Sequence, residues 1–201
     1  MKLRYPLNGI GQKPGIFLTQ VFGVNPQNYP SMKGHNGLDW GAPKGTPVLA
    51  CRDGRLITKP LDPDGYGIYV RVQWEEDGYT WDSVYGHFEK IEGIDRDVKE
   101  GDVIGYVDST GYSTGHHLHF GLRKKLNGAV VDYSNGYLGY IDPMPYMKIY
   151  IRKVKIEGTK EIGFYIPADT PDRLDKLFQD IKELRDYQVF SEDFTIKKTW
   201  T

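Results

Sequence analysis

The amino-acid sequence predicts a mainly β protein, an antiparallel sandwich or open barrel with a groove, followed by a small C-terminal ββα(β) unit. Three observations support this fold class. Short segments of alternating apolar and polar residues follow one another at close intervals. Turn residues separate these segments, since the 201-residue chain contains 24 glycines and 12 prolines. Tight turns favour antiparallel pairing, because parallel strands need long crossover connections.

The individual strands follow from this alternation. The segment 46–57 (TPVLACRDGRLI) is predicted to be a hairpin, because Asp53-Gly54 is a strong two-residue turn signal between apolar runs. A second turn of this kind is expected at Asp77-Gly78. The other predicted strands are 16–22, 67–74, 79–88, 103–107 and 117–122.

The pattern changes near residue 147, where we predict a domain boundary. Residues 1–147 are expected to form one domain and residues 148–201 a small ββα(β) appendage. In the appendage, 147–156 and 161–166 are predicted to pair as a hairpin. A helix is expected after Thr170, which suits the N-cap, and a last strand is expected at 190–200. The apolar residues at helical spacing are Leu174, Leu177, Phe178, Ile181 and Leu184.

Charge and cysteine content exclude several classes of function. The formal net charge is -1, so the chain has no electrostatic footprint for nucleic acid or an anionic membrane. No apolar segment approaches the ~20 residues of a transmembrane helix, and we expect no membrane insertion. Cys51 is the only cysteine, which excludes an intramolecular disulfide. Residues 1–17 lack the continuous apolar segment of a secretory signal peptide, so no such signal is expected.

His35 and Asp39 form an H-x-x-x-D motif around Asn36-Gly37. On an extended strand their Cα atoms would lie roughly 13 Å apart, too far to bind one ion. A turn at Asn36-Gly37 would bring imidazole and carboxylate together. A solvated Asn-Gly turn flanked by the same two residues would look no different in the sequence.

Three of the five histidines lie at 116–119. His117 and His119 flank Leu118, so on a strand they point to one face, with Cα atoms roughly 6.6 Å apart. Two histidines and a carboxylate suit a catalytic zinc site that keeps one position open for water. Further histidines beside the metal, His87 among them, would serve proton transfer. The spacing does not decide between His117 and His119 as the ligand, and a purely structural pair is an alternative.

The chain resembles zinc metallopeptidase family M23, the lysostaphin/LytM type, whose members cut peptide bonds in bacterial cell walls. The matching segments occur in the family's order over roughly residues 15–147. They are 35–39 (HNGLD), 42–48 (APKGTPV), 85–87 (YGH), 98–105 (VKEGDVIG), 113–120 (STGHHLHF) and 142–146 (DPMPY).

The resemblance implies one zinc ion per chain, held by His35, Asp39 and His119. It makes His87 and His117 the catalytic pair. His116 lies outside the family pattern and is expected on the surface. The side chains expected to line the substrate groove are Tyr29, Tyr66, Tyr85 and Tyr112. For Tyr29, Tyr66 and Tyr112, packing on the protein surface without a substrate role is an equal alternative.

Two features depart from the family pattern. Gly121 follows the last motif, where the family usually has glutamate. The segment 124–140 is longer than the usual link to the closing Asp-Pro, and we expect a tyrosine-bearing loop at the groove rim, since long loops are often functional. A solvated loop with no role in substrate binding is the alternative.

The expected function is zinc-dependent endopeptidase activity on the peptide stems or cross-bridges of bacterial peptidoglycan. The alternatives are a non-catalytic relative that binds cell wall or regulates a hydrolase, and a mainly structural virion component. The enzyme would act on the outer side of the membrane, and with no signal peptide expected, a phage lysin or tail-associated enzyme is favoured. Residues 148–201 would then dock to a virion or to the cell surface, and a stabilising lid is the alternative role for this segment.

Overall fold

A computed structural model describes residues 1–8 and 15–148, together with the backbone of strands at 150–156, 160–166 and 187–190. The chain divides into two compact units. One comprises Met1–Leu7 and Gly11–Met147, and the remaining residues form the other. The prediction of a mainly β, antiparallel fold is confirmed.

The first unit contains twelve of the strands in the described residues. They are β1 (Phe17–Gln20), β2 (Leu38–Gly41), β3 (Pro47–Leu49), β4 (Gly54–Thr58), β5 (Val70–Glu76), β6 (Tyr79–Gly86), β7 (Phe88–Ile91), β8 (Asp97–Val98), β9 (Val103–Val107), β10 (His117–Leu126), β11 (Ala129–Val130) and β12 (Tyr140–Ile141).

The larger sheet runs in the order β1-β2-β10-β6-β5-β4-β8, and β11 and β12 also pair with β10. A smaller sheet has the order β3-β9-β7. Every ladder in the unit is antiparallel, as expected for strands joined by short turns. The ends of the unit are joined as well, since Leu3 forms a bridge with Met147 and both side chains are buried.

Alternation along β10 separates the core from the polar face. Leu118, Phe120 and Leu122 are fully buried and point to one side of the strand. His117 and His119 point to the other side. In the antiparallel register His119 lies opposite Asp39 of β2, so both side chains emerge on the same face.

The predicted hairpin at 46–57 is wrong. β3 pairs with β9, whereas β4 pairs with β5 and β8. The Asp53 carboxylate accepts a hydrogen bond from the Glu100 amide at 2.8 Å instead of bracing a two-residue turn. Gly54 is the first residue of β4 and packs so closely on β5 that a Cβ would overlap the Gln73 carbonyl oxygen. The glycine therefore serves strand packing, a role that its sequence context does not distinguish from a turn.

The segment around Cys51 is buried, as its apolar neighbours indicate. The thiol has no exposed surface, and burial raises its pKa to about 11. The backbone amide of Cys51 donates to the hydroxyl of Tyr85 at 2.9 Å. No helix in the described part of the chain is long and apolar enough to cross a membrane.

The second unit contains a three-stranded antiparallel sheet of β13 (Tyr150–Ile156), β14 (Lys160–Ile166) and β15 (Tyr187–Phe190). β13 and β14 pair from Tyr150 opposite Ile166 to Ile156 opposite Lys160, so the predicted hairpin is present. β15 pairs with the other edge of β13. The predicted helix after Thr170 lies outside the described residues.

Candidate metal centre

The structure brings His35, Asp39 and His119 together. His35 precedes β2 and Asp39 lies within it, while His119 comes from the neighbouring strand β10. The chain bends at Gly37, which shortens the span between His35 and Asp39. Gly37 also passes against the third residue, because a Cβ there would lie 2.7 Å from His119 Cε1. A larger residue at this bend would displace the His119 ring.

Three ligand-type atoms converge at this point. His35 Nε2 lies 3.1 Å from Asp39 Oδ1 and 3.0 Å from His119 Nδ1, and the last two atoms are 3.0 Å apart. Zinc binds nitrogen and oxygen at about 2.0–2.1 Å, so two ligand atoms at the tetrahedral angle would be roughly 3.3 Å apart. The triangle in the protein is close to that size, and all three residues are buried.

The hydrogen bonds around these three atoms indicate a cation between them, rather than hydrogen bonds among the three residues alone. His35 Nδ1 lies 3.2 Å from the carbonyl oxygen of Val21, which can only accept, so Nδ1 carries the proton. In a neutral ring, the lone pair of His35 Nε2 is then directed at the Asp39 carboxylate, another acceptor. Buried acceptors that face one another need a proton or a metal ion between them. The donor set of two imidazoles and one carboxylate suits zinc.

Electrostatics around Asp39 favour its ionised form. Burial opposes ionisation, but His119 and His35, when protonated, donate hydrogen bonds and carry charges that outweigh it and hold the pKa of Asp39 well below its usual range. Burial lowers the pKa of His119, against the attraction of Asp39. A neutral imidazole and an ionised carboxylate are the protonation states that metal ligands require.

His87 and His117 stand beside the three residues. Their ring centroids are 4.5 Å apart, and the His87 ring is 6.1 Å from that of His119. His87 Nδ1 lies 2.7 Å from the Thr110 carbonyl oxygen and His117 Nδ1 lies 2.8 Å from that of Gly115. Both Nδ1 atoms therefore donate, and in the neutral rings both Nε2 atoms are free to accept a proton.

His87 has two unusual properties. Its φ of 66° lies in the left-handed region, which non-glycine residues seldom adopt outside constrained sites. Its pKa is lowered to about 4, first by burial and then by the charges of His119 and His117. The imidazole is therefore neutral at neutral pH. His117 Nε2 lies 3.6 Å from Asp39 Oδ2.

A cavity of about 900 Å³ opens onto these residues. Tyr29, Tyr66 and Tyr112, three of the four side chains expected at a substrate groove, line it. Tyr29 accepts a hydrogen bond from Gln20 at 3.0 Å, and its ring centroid is 5.5 Å from that of His35. Burial and the charge of Asp39 raise the pKa of Tyr29 to about 12, so its hydroxyl keeps its proton.

The assignment of Tyr85 to the groove is wrong. Tyr85 has no exposed surface and lies opposite Phe120 in the ladder between β6 and β10, on the core side of the sheet. Its hydroxyl accepts from the Cys51 amide and from Ser83. The side chain therefore packs on the face opposite to His119.

His116 is exposed at the cavity mouth, where Nε2 lies 3.3 Å from Asp108 Oδ1. In the long segment 124–140, β10 and β11 form a hairpin and the chain returns along β12. Leu138 lines the cavity, whereas Tyr133 is exposed and is not part of the lining. The segment therefore reaches the groove through a leucine.

Sequence reasoning missed Asn36 as a contributor to the site. Its side-chain amide donates to the Tyr66 hydroxyl at 2.9 Å. Asn-Gly is a strong turn signal, and a turn needs no further role for the asparagine side chain. The indication that the sequence offers is the position of Asn36 between His35 and Asp39.

A β fold that gathers two histidines and an aspartate beside two further histidines defines a candidate metallohydrolase centre. The chain belongs to peptidase family M23, whose sequence profile matches residues 33–133. This match contains all five of these residues.

Curated relatives carry the same segment. The chain is 41% identical over 98 residues to the DD-carboxypeptidase/endopeptidase Mpg of Neisseria meningitidis serogroup B, covering 49% of this chain and 21% of the relative. It is 37% identical over 118 residues to the glycyl-glycine endopeptidase ALE-1 of Staphylococcus capitis, covering 57% of this chain and 29% of the relative. The chain thus spans 21% to 29% of the length of these relatives.

Solved structures show the same fold. LytU superposes with a TM-score of 0.51 at 33% identity, covering 64% of this chain and 82% of LytU. A zinc-containing peptidase from Vibrio cholerae superposes with a TM-score of 0.51 at 28% identity, covering 72% of this chain and 40% of that protein.

Proposed function

We propose that this protein is a zinc-dependent endopeptidase that hydrolyses peptide bonds in bacterial peptidoglycan. The observation that carries the proposal is the set of ligand atoms of His35, Asp39 and His119, each within 3.1 Å of the other two, in buried residues that line an open cavity. Membership of peptidase family M23 supports a peptidase activity. The zinc content of the V. cholerae peptidase supports the choice of metal.

In this proposal His35 and Asp39 bind zinc together with His119. When bound, the metal polarises the scissile carbonyl and lowers the pKa of a water molecule to roughly 7. His87 and His117 transfer protons at Nε2, because a backbone carbonyl engages Nδ1 of each ring. One histidine removes a proton from water and the other protonates the departing amine. The Tyr29 hydroxyl can donate a hydrogen bond to the negative oxygen that develops.

The substrate class is supported by the relatives. One is named a glycyl-glycine endopeptidase and another a DD-carboxypeptidase/endopeptidase. Peptide stems or cross-bridges of peptidoglycan fit both names. Delivery by phage lysis or on a virion, and docking through residues 148–201, stay predictions of the sequence.

Metal analysis tests the proposed ligands. Protein purified without added metal should contain about one equivalent of zinc per chain. His35→Ala and His119→Ala should lose it, whereas His87→Ala and His117→Ala should retain it and lose most hydrolysis. A folded wild-type chain that takes up no supplied zinc would disprove the proposal. If His117→Ala loses zinc and His119→Ala retains it, His117 is the zinc ligand and His119 the residue that transfers protons.

Digestion of purified peptidoglycan tests the substrate. Walls from several bacterial types, incubated with the zinc-loaded protein, should release fragments with new amino and carboxyl ends at a peptide bond. Mass spectrometry of the fragments identifies that bond. Zinc-loaded His117→Ala is the control for contaminating hydrolases. Release of sugar ends alone, or no release from any wall, would contradict the peptidase activity.

A further inference from the structure

Tyr66 makes more contacts with the metal centre than a groove wall requires. Its carbonyl oxygen accepts a hydrogen bond from the His87 amide at 2.7 Å. Its ring centroid is 5.2 Å from that of His119. Its hydroxyl accepts from Asn36, the residue that follows His35. Tyr66 thus contacts His87 and His119 directly, and it contacts His35 through the neighbouring residue, Asn36.

The backbone of Tyr66 is itself held in place. The Asp62 carboxylate accepts from the Tyr66 amide at 3.0 Å, and the backbones of Asp62 and Gly67 exchange hydrogen bonds at 2.7 and 3.0 Å. Gly67 has a φ of 67°, and a Cβ there would overlap Thr110. This tight loop between β4 and β5 presents the tyrosine as a rigid element.

The His119 ring needs packing contacts to orient it, because its second ring nitrogen lacks, within the described part of the chain, the hydrogen bond that usually does so. Metal-binding histidines generally donate their second ring nitrogen to a carboxylate, carbonyl or water, and this bond orients the ring. Nε2 of His119 is buried and has no hydrogen-bond partner among the described residues. Gly37 lies against the ring atoms Cε1 and Nε2, and the Tyr66 ring packs nearby. Packing therefore takes over the orienting role of the hydrogen bond.

We propose that Tyr66 is a positioning residue that orients His119 for zinc binding by packing against its ring. This inference rests on the proposed function, since it assumes that zinc is the ion bound. Tyr112, which also lines the cavity, offers the contrast: it is 66% exposed. The two tyrosines should therefore respond differently to loss of the aromatic ring.

Zinc affinity distinguishes the two roles. We would measure competition with a chromophoric chelator for the wild type, Tyr66→Phe, Tyr66→Leu and Tyr112→Leu. Tyr66→Leu should bind zinc about 10- to 100-fold more weakly, the usual effect of removing a residue that orients a metal ligand. Tyr66→Phe keeps the ring and should restore nearly all of the affinity. Tyr112→Leu should bind zinc like the wild type.

Equal zinc affinity of Tyr66→Leu and the wild type would overturn the inference and leave Tyr66 as a groove wall, with an effect on KM alone. Circular dichroism without zinc checks that each variant folds. If Tyr66→Leu does not fold, Tyr66→Met, an unbranched apolar replacement, takes its place in the comparison with Tyr66→Phe. A wild type without zinc would instead contradict the proposed function, so the two failures are distinguishable.

Discussion

Gly121 lies two residues beyond His119 on the same side of β10, and the ring of Tyr140 covers it. A Cβ at this position would lie 2.8 Å from Tyr140 Cε1 and 3.0 Å from Cδ1. The Arg123 guanidinium lies over the same tyrosine ring, 4.9 Å from its centroid. The space that a glutamate of the family motif would enter is therefore filled by an aromatic ring from β12. A glycine at position 121 therefore leaves the space that the Tyr140 ring occupies.

This packing predicts the effect of a small substitution. Gly121→Ala should destabilise the protein by about 1–3 kcal/mol, because the added methyl group overpacks a buried contact. Urea unfolding followed by tryptophan fluorescence would measure the change. Gly115→Ala is the matched control, since a Cβ there has no atom within 4 Å, and its effect should stay within about 0.5 kcal/mol. Equal stability of Gly121→Ala and the wild type would show that Tyr140 moves aside freely.

The loop between β11 and β12 shapes one part of the cavity through a single asparagine. Asn135 Nδ2 donates to the Tyr140 carbonyl at 2.9 Å, and Oδ1 accepts from the amides of Tyr137 and Gly139 at 2.7 and 3.2 Å. Leu138, between these two amides, has a φ of 56°, an unfavourable conformation for a leucine. The three hydrogen bonds hold this strained residue where it lines the cavity.

Removal of these bonds should loosen the loop. Asn135→Ala should cost about 1–3 kcal/mol in the free energy of unfolding, from three hydrogen bonds of roughly 1 kcal/mol each in a half-buried site. The KM for a peptide substrate should rise while zinc affinity stays unchanged, because the loop contributes cavity wall and no ligand. Ser134→Ala, in an exposed position of the same loop, is the control. An unchanged KM in Asn135→Ala would exclude the loop from substrate binding.

At the scale of the whole molecule, the first unit is closed by its own ends. The Leu3 amide donates to the Tyr146 carbonyl at 2.7 Å, and Leu3 and Met147 are both fully buried. A chain that stops shortly after Met147 keeps this closure. It also keeps every residue assigned to the zinc site and to proton transfer.

A chain ending at Lys148 should therefore bind zinc with the affinity of the full chain and cleave a small peptide at a similar rate. On intact cells it should be slower, because we propose that residues 148–201 dock the enzyme. Zinc titration, peptide hydrolysis and the clearing of a cell suspension give the three comparisons. Equal clearing by both chains would remove the docking role, and an insoluble shortened chain would indicate that the second unit stabilises the first.

The sequence did not predict β2, the strand that carries Asp39. By itself it determined the β class, the strand that carries His117 and His119, and the types of residue in the site. These are local properties: alternation with period two places His117 and His119 on one face whatever the strand pairs with. It could not place Tyr85, because the same alternation puts Tyr85 and His87 on one side. His87 lies just beyond β6 with a φ of 66°, so the histidine turns towards the cavity while Tyr85 stays in the core.

Only the tertiary structure decided which segments meet. The sequence offered Asp53-Gly54 as a hairpin turn between β3 and β4. Instead β3 pairs with β9, which lies far along the chain, and β4 pairs with the next strand, β5, and with β8. The convergence of His119 with Asp39 depends on the register between β10 and β2. Pairing and register are set by the free energy of burying whole faces of the sheet. Residues far apart in the chain contribute to that free energy, so no short segment of sequence contains it.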